Sequence, residues 1–85
     1  MLYGDIQING TRLGEWTAKR MTPNPRQDFN DYECTLKYRD LQGYPCEAHW
    51  VLRGAHHGNG AVSLAARVLA EGMVYAKRIR PDGSV

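Results

Sequence analysis

Several features that would assign a chain to a membrane, secreted or disulfide-rich class are scarce in this sequence. None of its apolar runs approaches the roughly 20 residues that a membrane-spanning helix needs. Its first residues, Met1 to Asp5, lack the basic and then apolar order of a signal peptide. Only two cysteines are present, too few for a disulfide-dense scaffold. We therefore expect a cytoplasmic protein with no membrane partner.

The sequence also has only a small excess of positive over negative charge. Eleven Lys and Arg residues oppose nine Asp and Glu residues, so the net charge is +2. Such a total does not by itself indicate a nucleic-acid partner, and the placement of the charges matters more. Hydrophobic residues make up 42% and charged residues 24% of the 85 residues, which is typical of a globular domain. A single domain over residues 1–85 is expected.

A first β-hairpin is predicted over residues 1–20. Asn9-Gly10 supplies the positive φ angles of a two-residue type I′ turn. Residues 21–31 contain two prolines together with Asn and Asp, so we expect a long loop there, with Phe29 as a candidate anchor for a partner. The expected cross-strand pairs are Ile8 with Thr11, Ile6 with Leu13, and Tyr3 with Trp16.

Alternation of apolar and polar residues predicts a central β-hairpin over residues 32–54. The side chains expected to face inward are Tyr32, Cys34, Leu36 and Tyr38 in the first strand and Tyr44, Cys46, Ala48, Trp50 and Leu52 in the second. With a turn at 40–43, the expected pairs are Leu36 with Cys46 and Cys34 with Ala48. The two sulfurs then lie diagonally across the hairpin, so we expect reduced thiols rather than a disulfide.

A helix is predicted over residues 61–72, because apolar residues recur there at helical spacing. Asn59 is a suitable N-cap, and Gly72 suits the left-handed residue that ends a helix. Residues 73–80 return to strand-like composition. The predicted fold is α+β: an antiparallel sheet of about five strands, formed by two hairpins and a C-terminal strand, covered on one face by a single helix.

Residues suited to a metal site or a catalytic centre are sparse. The thiols and imidazoles of the chain are Cys34, Cys46, His49 and the His56-His57 pair. Period-2 geometry points Cys46 inward and His49 outward, and no Cys-x-x-Cys motif is present. No paired carboxylates, nucleophile elbow or glycine-rich phosphate loop accompanies the histidines. We expect no enzymatic activity, no metal and no cofactor; a zinc domain or small enzyme is the least favoured alternative.

Basic residues concentrate on the expected outward face of the central hairpin and in the C-terminal strand. The candidate partner-binding residues are Lys37, Arg39, Arg53, Lys77, Arg78 and Arg80, together with His49 and Phe29. Such cations can hold phosphates, can bind an acidic protein surface, or can simply keep a solvated sheet face charged. Tyr38, Tyr44 and Trp50 fall on the inward side, which disfavours stacking on single-stranded nucleic acid.

The order of the central elements resembles that of several small phage-encoded anti-CRISPR proteins. The resemblance is carried by Tyr32 to Leu36, the turn Asp40-Leu41-Gln42-Gly43 and the alanine-rich helix from Ala61 to Ala70. It covers about half of the chain and rests on element order and composition. It implies a non-enzymatic inhibitor that binds a host effector complex in the cytoplasm of the host cell.

The same order is similar to the arm-binding domain of phage-type integrases. Trp16 in a preceding strand and Tyr38-Arg39-Asp40 before a turn carry this second resemblance. In that family the sheet face opposite the helix lies in the DNA major groove, so the resemblance implies that Lys37, Arg39 and Arg53 face DNA.

The function predicted from the sequence is that of a small phage-type accessory protein. It binds, and inhibits or modulates, a host protein or nucleoprotein complex, as a monomer or small homo-oligomer. The alternative is a sheet-face DNA-binding module, for which nucleic acid is the partner.

Overall fold

The structure, a computed structural model, describes residues 1–21, 29–56 and 60–80. Its strands form one antiparallel sheet in the order β1-β2-β3-β4-β5, so each strand lies beside its neighbour in the chain. The predicted α+β class and the antiparallel sheet of five strands are confirmed. The elements are β1 (Leu2–Ile8), β2 (Thr11–Arg20), β3 (Phe29–Arg39), β4 (Pro45–His56), α1 (Gly60–Tyr75) and β5 (Lys77–Arg78).

The helix packs on one face of the sheet. Val68 of α1 has no exposed surface, and neither do Leu36 of β3 and Leu52 of β4. Side chains alternate between the two faces of a strand, so alternate residues in the middle of β2, β3 and β4 enter this core. Its buried members are Ile6, Trp16, Ala18, Cys34, Leu36, Ala48, Leu52, Ala55, Leu64 and Val68.

The sequence indicated that Gly72 would end the helix, but the helix continues beyond it. Gly72 is buried inside α1, and a Cβ at this position would lie 2.7 Å from the Trp50 ring and 2.8 Å from a Leu36 methyl group. The glycine therefore lets the helix backbone approach the sheet, and α1 continues for three more residues to Tyr75. The C-terminal strand is correspondingly shorter than the predicted 73–80 and consists of Lys77–Arg78.

The central hairpin has the predicted faces but a different register. Its turn contains five residues, 40–44, because Asp40 and Tyr44 close it with a backbone hydrogen bond of 2.9 Å. The partner of Leu36 is therefore Ala48, and that of Cys34 is Trp50. A shift of two residues leaves each strand residue on its expected face. Tyr44, predicted to face inward, instead belongs to the turn and is 52% exposed. Cys34 and Cys46 are both free thiols, as expected.

The first hairpin keeps the predicted turn but contains a β-bulge. Asn9 and Gly10 have positive φ angles, and Ile8 pairs with Thr11 as expected. The register then shifts between Ile6 and Gln7, so that Trp16 lies opposite Gly4 instead of Tyr3, and Ile6 lies opposite Gly14 instead of Leu13. The shift turns Trp16 toward the helix, where its indole covers the glycine: a Cβ on Gly4 would lie 2.6 Å from the indole nitrogen.

The boundaries of the predicted loops also change. Strand β3 begins at Phe29, three residues before the predicted start, and Met21 donates a 3.0 Å backbone hydrogen bond to the carbonyl of Asp31. Strand β4 continues to His56, two residues beyond the predicted end of the hairpin. The remainder of the predicted loop, 22–28, and the predicted N-cap Asn59 lie outside the described residues.

Within the described ranges, no helix has the length and apolar character needed to cross a membrane.

Replacement of Gly72 by alanine is expected to destabilise the protein. Alanine favours a helix by about 1 kcal/mol over glycine, but overpacking a core costs roughly 1–3 kcal/mol. Because Trp50 and Leu36 leave no space for a Cβ, we expect the packing cost to dominate, and urea denaturation should show a lower midpoint for Gly72→Ala than for the parent.

A Trp50→Phe background is the control for this substitution. It removes the distal indole ring atoms that meet the new methyl group, so the penalty of Gly72→Ala should be smaller there. A higher midpoint for Gly72→Ala in the parent background would show that the close approach does not limit stability.

Candidate functional site

The face of the sheet opposite α1 carries the strongest candidate for a binding site. Residues that are paired across neighbouring strands share a face, so the register assigns its members directly. No helix of the described chain lies on this face, which we call the open face. Its members are Tyr3 and Asp5 of β1; Glu15, Thr17 and Lys19 of β2; Glu33, Thr35, Lys37 and Arg39 of β3; Glu47, His49 and Val51 of β4; and Lys77 of β5.

An uncharged row crosses the middle of the open face. Tyr3 pairs with Thr17, Thr17 with Thr35, and Thr35 with His49, so one side chain from each of four strands lies in line. The hydroxyls of Thr17 and Thr35 are hydrogen-bonded to each other. At the ends of this row, Tyr3 is 79% exposed and the His49 side chain 59% exposed. The row therefore offers an aromatic ring and an imidazole to solvent.

The next row of the open face carries charges of both signs. The register places Lys37 between Glu15 and Glu47, and Glu47 between Lys37 and Lys77, with Asp5 beside Glu15. The Arg12 guanidinium also reaches this row, 3.0 Å from Asp5 and 3.4 Å from Glu15, so three carboxylates face three cations. The Glu47 carboxylate lies 3.3 Å from Nε2 of His49. On the other side of the uncharged row, Lys19 pairs with Glu33. The centre of the face is neither basic nor acidic.

Shallow grooves on the open face are lined by described residues. One, of about 400 Å³, runs over the uncharged row and includes Met1, Lys19 and Val51. Another, of about 390 Å³, lies near the turn 40–44 and combines the apolar side chains of Leu13, Pro45 and Ile79 with Arg12, Lys37, Arg39 and Glu47. The second groove is the more basic of the two.

The predicted partner-binding residues do not form one patch. Lys37, Arg39, His49 and Lys77 lie on the open face. Arg53 is exposed near the far end of β4, six residues from Glu47, a span of about 20 Å along an extended strand. Arg80 is exposed beyond β5. The backbone of Phe29 pairs with His56 at the start of β3, and its side chain lies outside the described residues.

Arg78 has a structural role that the sequence did not reveal. It lies on the helix side of the sheet, paired with Cys46. Its guanidinium donates to Asp40 at 2.8 Å and to Gln42 at 2.7 Å, and it covers the ring of Tyr44 at 4.5 Å from the centroid. Arg78 therefore joins β5 to the turn 40–44 and has fewer donors left for a partner.

Asp40 is the centre of that turn. Its side-chain oxygen Oδ1 accepts hydrogen bonds from the backbone N–H of Tyr44 at 2.9 Å and of Gln42 at 3.0 Å. The hydrogen bond from Tyr44, followed by that from Arg78, lowers the pKa of Asp40 below its ordinary value of 3.8. The carboxylate is therefore charged at neutral pH and holds the turn together.

The cysteines and the described histidine do not assemble into a reactive centre. Cys34 is 1% exposed, and burial raises the pKa of its thiol to about 11, so it is a protonated core residue at neutral pH. Cys46 lies on the same buried face, whereas His49 lies on the open face. Within residues 1–21, 29–56 and 60–80, no three His, Cys, Asp or Glu side chains come together as metal ligands do.

Sequence reasoning missed the uncharged row because it placed Tyr3 opposite Trp16. The signal that could have corrected it is the presence of a glycine in each strand of the first hairpin, Gly4 and Gly14. A glycine inside a strand often marks a bulge or a close approach of a large side chain. Both occur here, since Trp16 covers Gly4 and the bulge lies beside Gly14.

Comparisons with protein-family models, with curated proteins and with solved structures found no significant match to this chain. Its function is therefore inferred from its fold and from the arrangement of charges on its open face.

The hydrogen bonds to Asp40 predict a pH dependence of stability. A carboxylate whose pKa is lowered by folding contributes stability above its unfolded pKa and loses that contribution as the pH falls through the folded pKa. We expect the difference in urea midpoint between the parent and Asp40→Asn to be largest near neutral pH and to shrink below the ordinary pKa of 3.8.

Arg78→Gln serves as the control for this experiment. It removes one of the groups that lower the pKa of Asp40 but leaves the backbone donors in place, so its midpoint should show an intermediate pH dependence. If the urea midpoints of the parent and of Asp40→Asn changed in parallel with pH, the Asp40 carboxylate would not stabilise the turn as described.

Proposed function

We propose that this chain is a non-enzymatic binding protein that docks a partner protein on its open face. The observation that carries the proposal is the uncharged row of Tyr3, Thr17, Thr35 and His49, which has charges of both signs on either side of it. Protein interfaces combine a centre depleted of charge with a polar rim, and aromatic residues are enriched among their strongest contacts.

The mixed charges favour a protein partner over nucleic acid. A phosphate backbone needs cations that are free of neighbouring carboxylates, because each phosphate contact replaces a condensed counterion. Lys37 lies between Glu15 and Glu47, and Lys19 lies beside Glu33. Opposite charges in one row instead suit a partner surface with its own complementary pattern, which fixes the register of the complex.

A binding role also agrees with the chemistry of the described side chains. Catalysis by general acid and base requires titratable groups held together in a site that excludes water. His49 and Glu47 are in contact but lie on the open face, with the His49 side chain 59% exposed. The buried thiol of Cys34 lies on the other face of the sheet.

The narrower assignment is that of a phage-type accessory protein that inhibits or modulates a host protein or nucleoprotein complex. It is supported by the resemblance in element order between this chain and small anti-CRISPR proteins. A rigid sheet with one exposed face is suited to that role, because it can cover a partner surface without a large ordering cost. The cytoplasm of the host cell is the compartment in which such an inhibitor would act.

Photo-crosslinking tests the proposed docking face. A benzophenone amino acid is placed at Tyr3 or at His49 on the open face, and at the exposed Ala66 of α1 as the matched control. After irradiation in nuclease-treated bacterial lysate, we expect the same protein to be attached at the first two positions and not at Ala66. Attachment of that protein at Ala66 as well, or recovery of nucleic acid alone, would contradict the proposal.

A separate measurement tests the DNA-binding alternative. A sheet-face DNA-binding module should bind duplex DNA with an affinity that falls steeply with salt and should lose that binding in the variant Lys37→Glu/Arg39→Glu. Because carboxylates adjoin Lys37, we expect weak binding in fluorescence anisotropy and little difference between the parent and this variant at physiological salt. Tight binding that the variant abolishes would favour the DNA-binding module instead.

A further inference from the structure

Strand β1 forms one edge of the sheet. It is the first strand in the sheet order, and β2 is the one described strand that pairs with it. Within residues 1–21, 29–56 and 60–80, the backbone N–H and C=O groups on its outer side therefore have no partner strand. A row of such groups can form hydrogen bonds with a strand of another chain, which makes the outer edge of β1 a candidate binding site.

The direction of the backbone groups alternates along β1. Ile8 flanks the two-residue turn of the first hairpin, so its backbone groups bond to β2. In an antiparallel strand, successive residues bond in turn to one side and to the other. The bulge leaves the extra residue, Leu13, in β2, so the alternation along β1 is not interrupted. Counting back from Ile8, the N–H and C=O groups of Tyr3, Asp5 and Gln7 point outward.

The features that usually protect an edge strand are missing from β1. Protected edges carry lysine or proline, or are very short. β1 has seven residues with no lysine or proline, and its one charged side chain, Asp5, is held by Arg12 at 3.0 Å. The opposite edge differs, because β5 consists only of Lys77–Arg78. Near the end of β4, Arg67 also donates side-chain hydrogen bonds to two backbone carbonyls.

The regular part of β1 is symmetric about Gly4. Residues 2–6 pair with consecutive residues of β2, and the register shift comes directly after them. A second copy can add its own β1 in the antiparallel direction, with Gly4 opposite Gly4. Tyr3 of each copy then pairs with Asp5 of the other, and both residues have outward backbone groups, as hydrogen bonding requires. Gly4 suits the centre of this contact because it has no side chain and the Trp16 indole of its own copy lies over it.

This register also gives compatible side-chain neighbours on both faces of the sheet. On the open face, the phenol of Tyr3 lies opposite the carboxylate of Asp5, so no carboxylate lies directly opposite another. On the helix side, Leu2, which is 36% exposed, lies opposite the buried Ile6 of the second copy. The contact therefore covers an exposed apolar side chain and pairs the one charged residue of β1 with a neutral partner.

We propose that β1 is a self-association edge, at which two copies of this chain pair their β1 strands in antiparallel direction about Gly4 and form a dimer with one continuous sheet. Residues that are paired across the new contact share a face, so both helices lie on the same side of this sheet. The two open faces lie side by side and remain accessible. Self-association uses the backbone of the edge, so it does not depend on the docking function proposed for the open face.

Sedimentation equilibrium of the intact chain tests the dimer. Over a series of concentrations, we expect a monomer–dimer equilibrium in which the dimer fraction rises with concentration. Tyr3→Pro removes an outward N–H but none of the hydrogen bonds between β1 and β2. The dimer loses two hydrogen bonds by symmetry, so its dissociation constant should rise at least tenfold, to about the extent that two such bonds contribute. Tyr3→Ala is the matched control, because it removes the ring and keeps the N–H, and its effect should be smaller.

Amide hydrogen exchange followed by NMR locates the contact without any substitution. The amides of Tyr3 and Asp5 should exchange more slowly as the concentration of the chain rises, whereas the exchange of Gly4, which already bonds to β2, should change less. Asp5→Asn tests the register: because Tyr3 and not a second carboxylate faces Asp5, this variant should not form a tighter dimer than the parent. Circular dichroism of each variant establishes that it is folded.

Four results would overturn the proposal. They are a monomer at every concentration, oligomers that continue to grow beyond the dimer, equal dissociation constants for Tyr3→Pro and Tyr3→Ala, and a tighter dimer for Asp5→Asn. If Tyr3→Pro does not fold, hydrogen exchange in the parent decides: concentration-independent exchange of the Tyr3 and Asp5 amides would exclude pairing at this edge.

Discussion

The close contact between α1 and one face of the sheet is the interaction on which the remaining features of this protein depend. Val68, Leu36 and Leu52 have no exposed surface, and the helix reaches the sheet this closely because Gly72 has no side chain to meet Trp50. Among residues 1–21, 29–56 and 60–80, a single helix covers one face of the sheet, and no helix lies on the other face.

The short strand β5 connects the core to the turn 40–44. It consists of Lys77–Arg78 and pairs with Cys46 and Glu47 at the start of β4. Its two side chains point to opposite faces, so neighbours in the sequence have different roles: Lys77 joins the charged row of the open face, whereas Arg78 holds Asp40 and Tyr44. Two basic residues that are adjacent in the sequence therefore lie on opposite faces of the sheet, because side chains alternate along a strand.

The open face is broad, with an uncharged centre and charges of both signs around it, which suits a complementary protein surface. It rests on strands whose backbone hydrogen bonds hold them in place, so binding there needs little reorganisation.

The sequence by itself determined which residues of the central hairpin face the core. Cys34, Leu36, Ala48 and Leu52 are buried as predicted, because a period of two is a property of any extended strand and a register error of two residues does not change it. The exposed positions of Lys37, Arg39 and His49 followed from the same rule. The Asn9-Gly10 turn was predictable because few residue pairs accept positive φ angles at both positions.

Only the tertiary structure decided the registers, the end of the helix and the grouping of the cations. The bulge that turns Trp16 into the core depends on packing against Gly4, and α1 passes through Gly72 because the sheet lies beneath it. Arg78 became a structural residue because Asp40, 38 positions away, lies within hydrogen-bond distance. Such contacts join residues far apart in the chain, and local patterns in a sequence carry no information about which distant partner a side chain will meet.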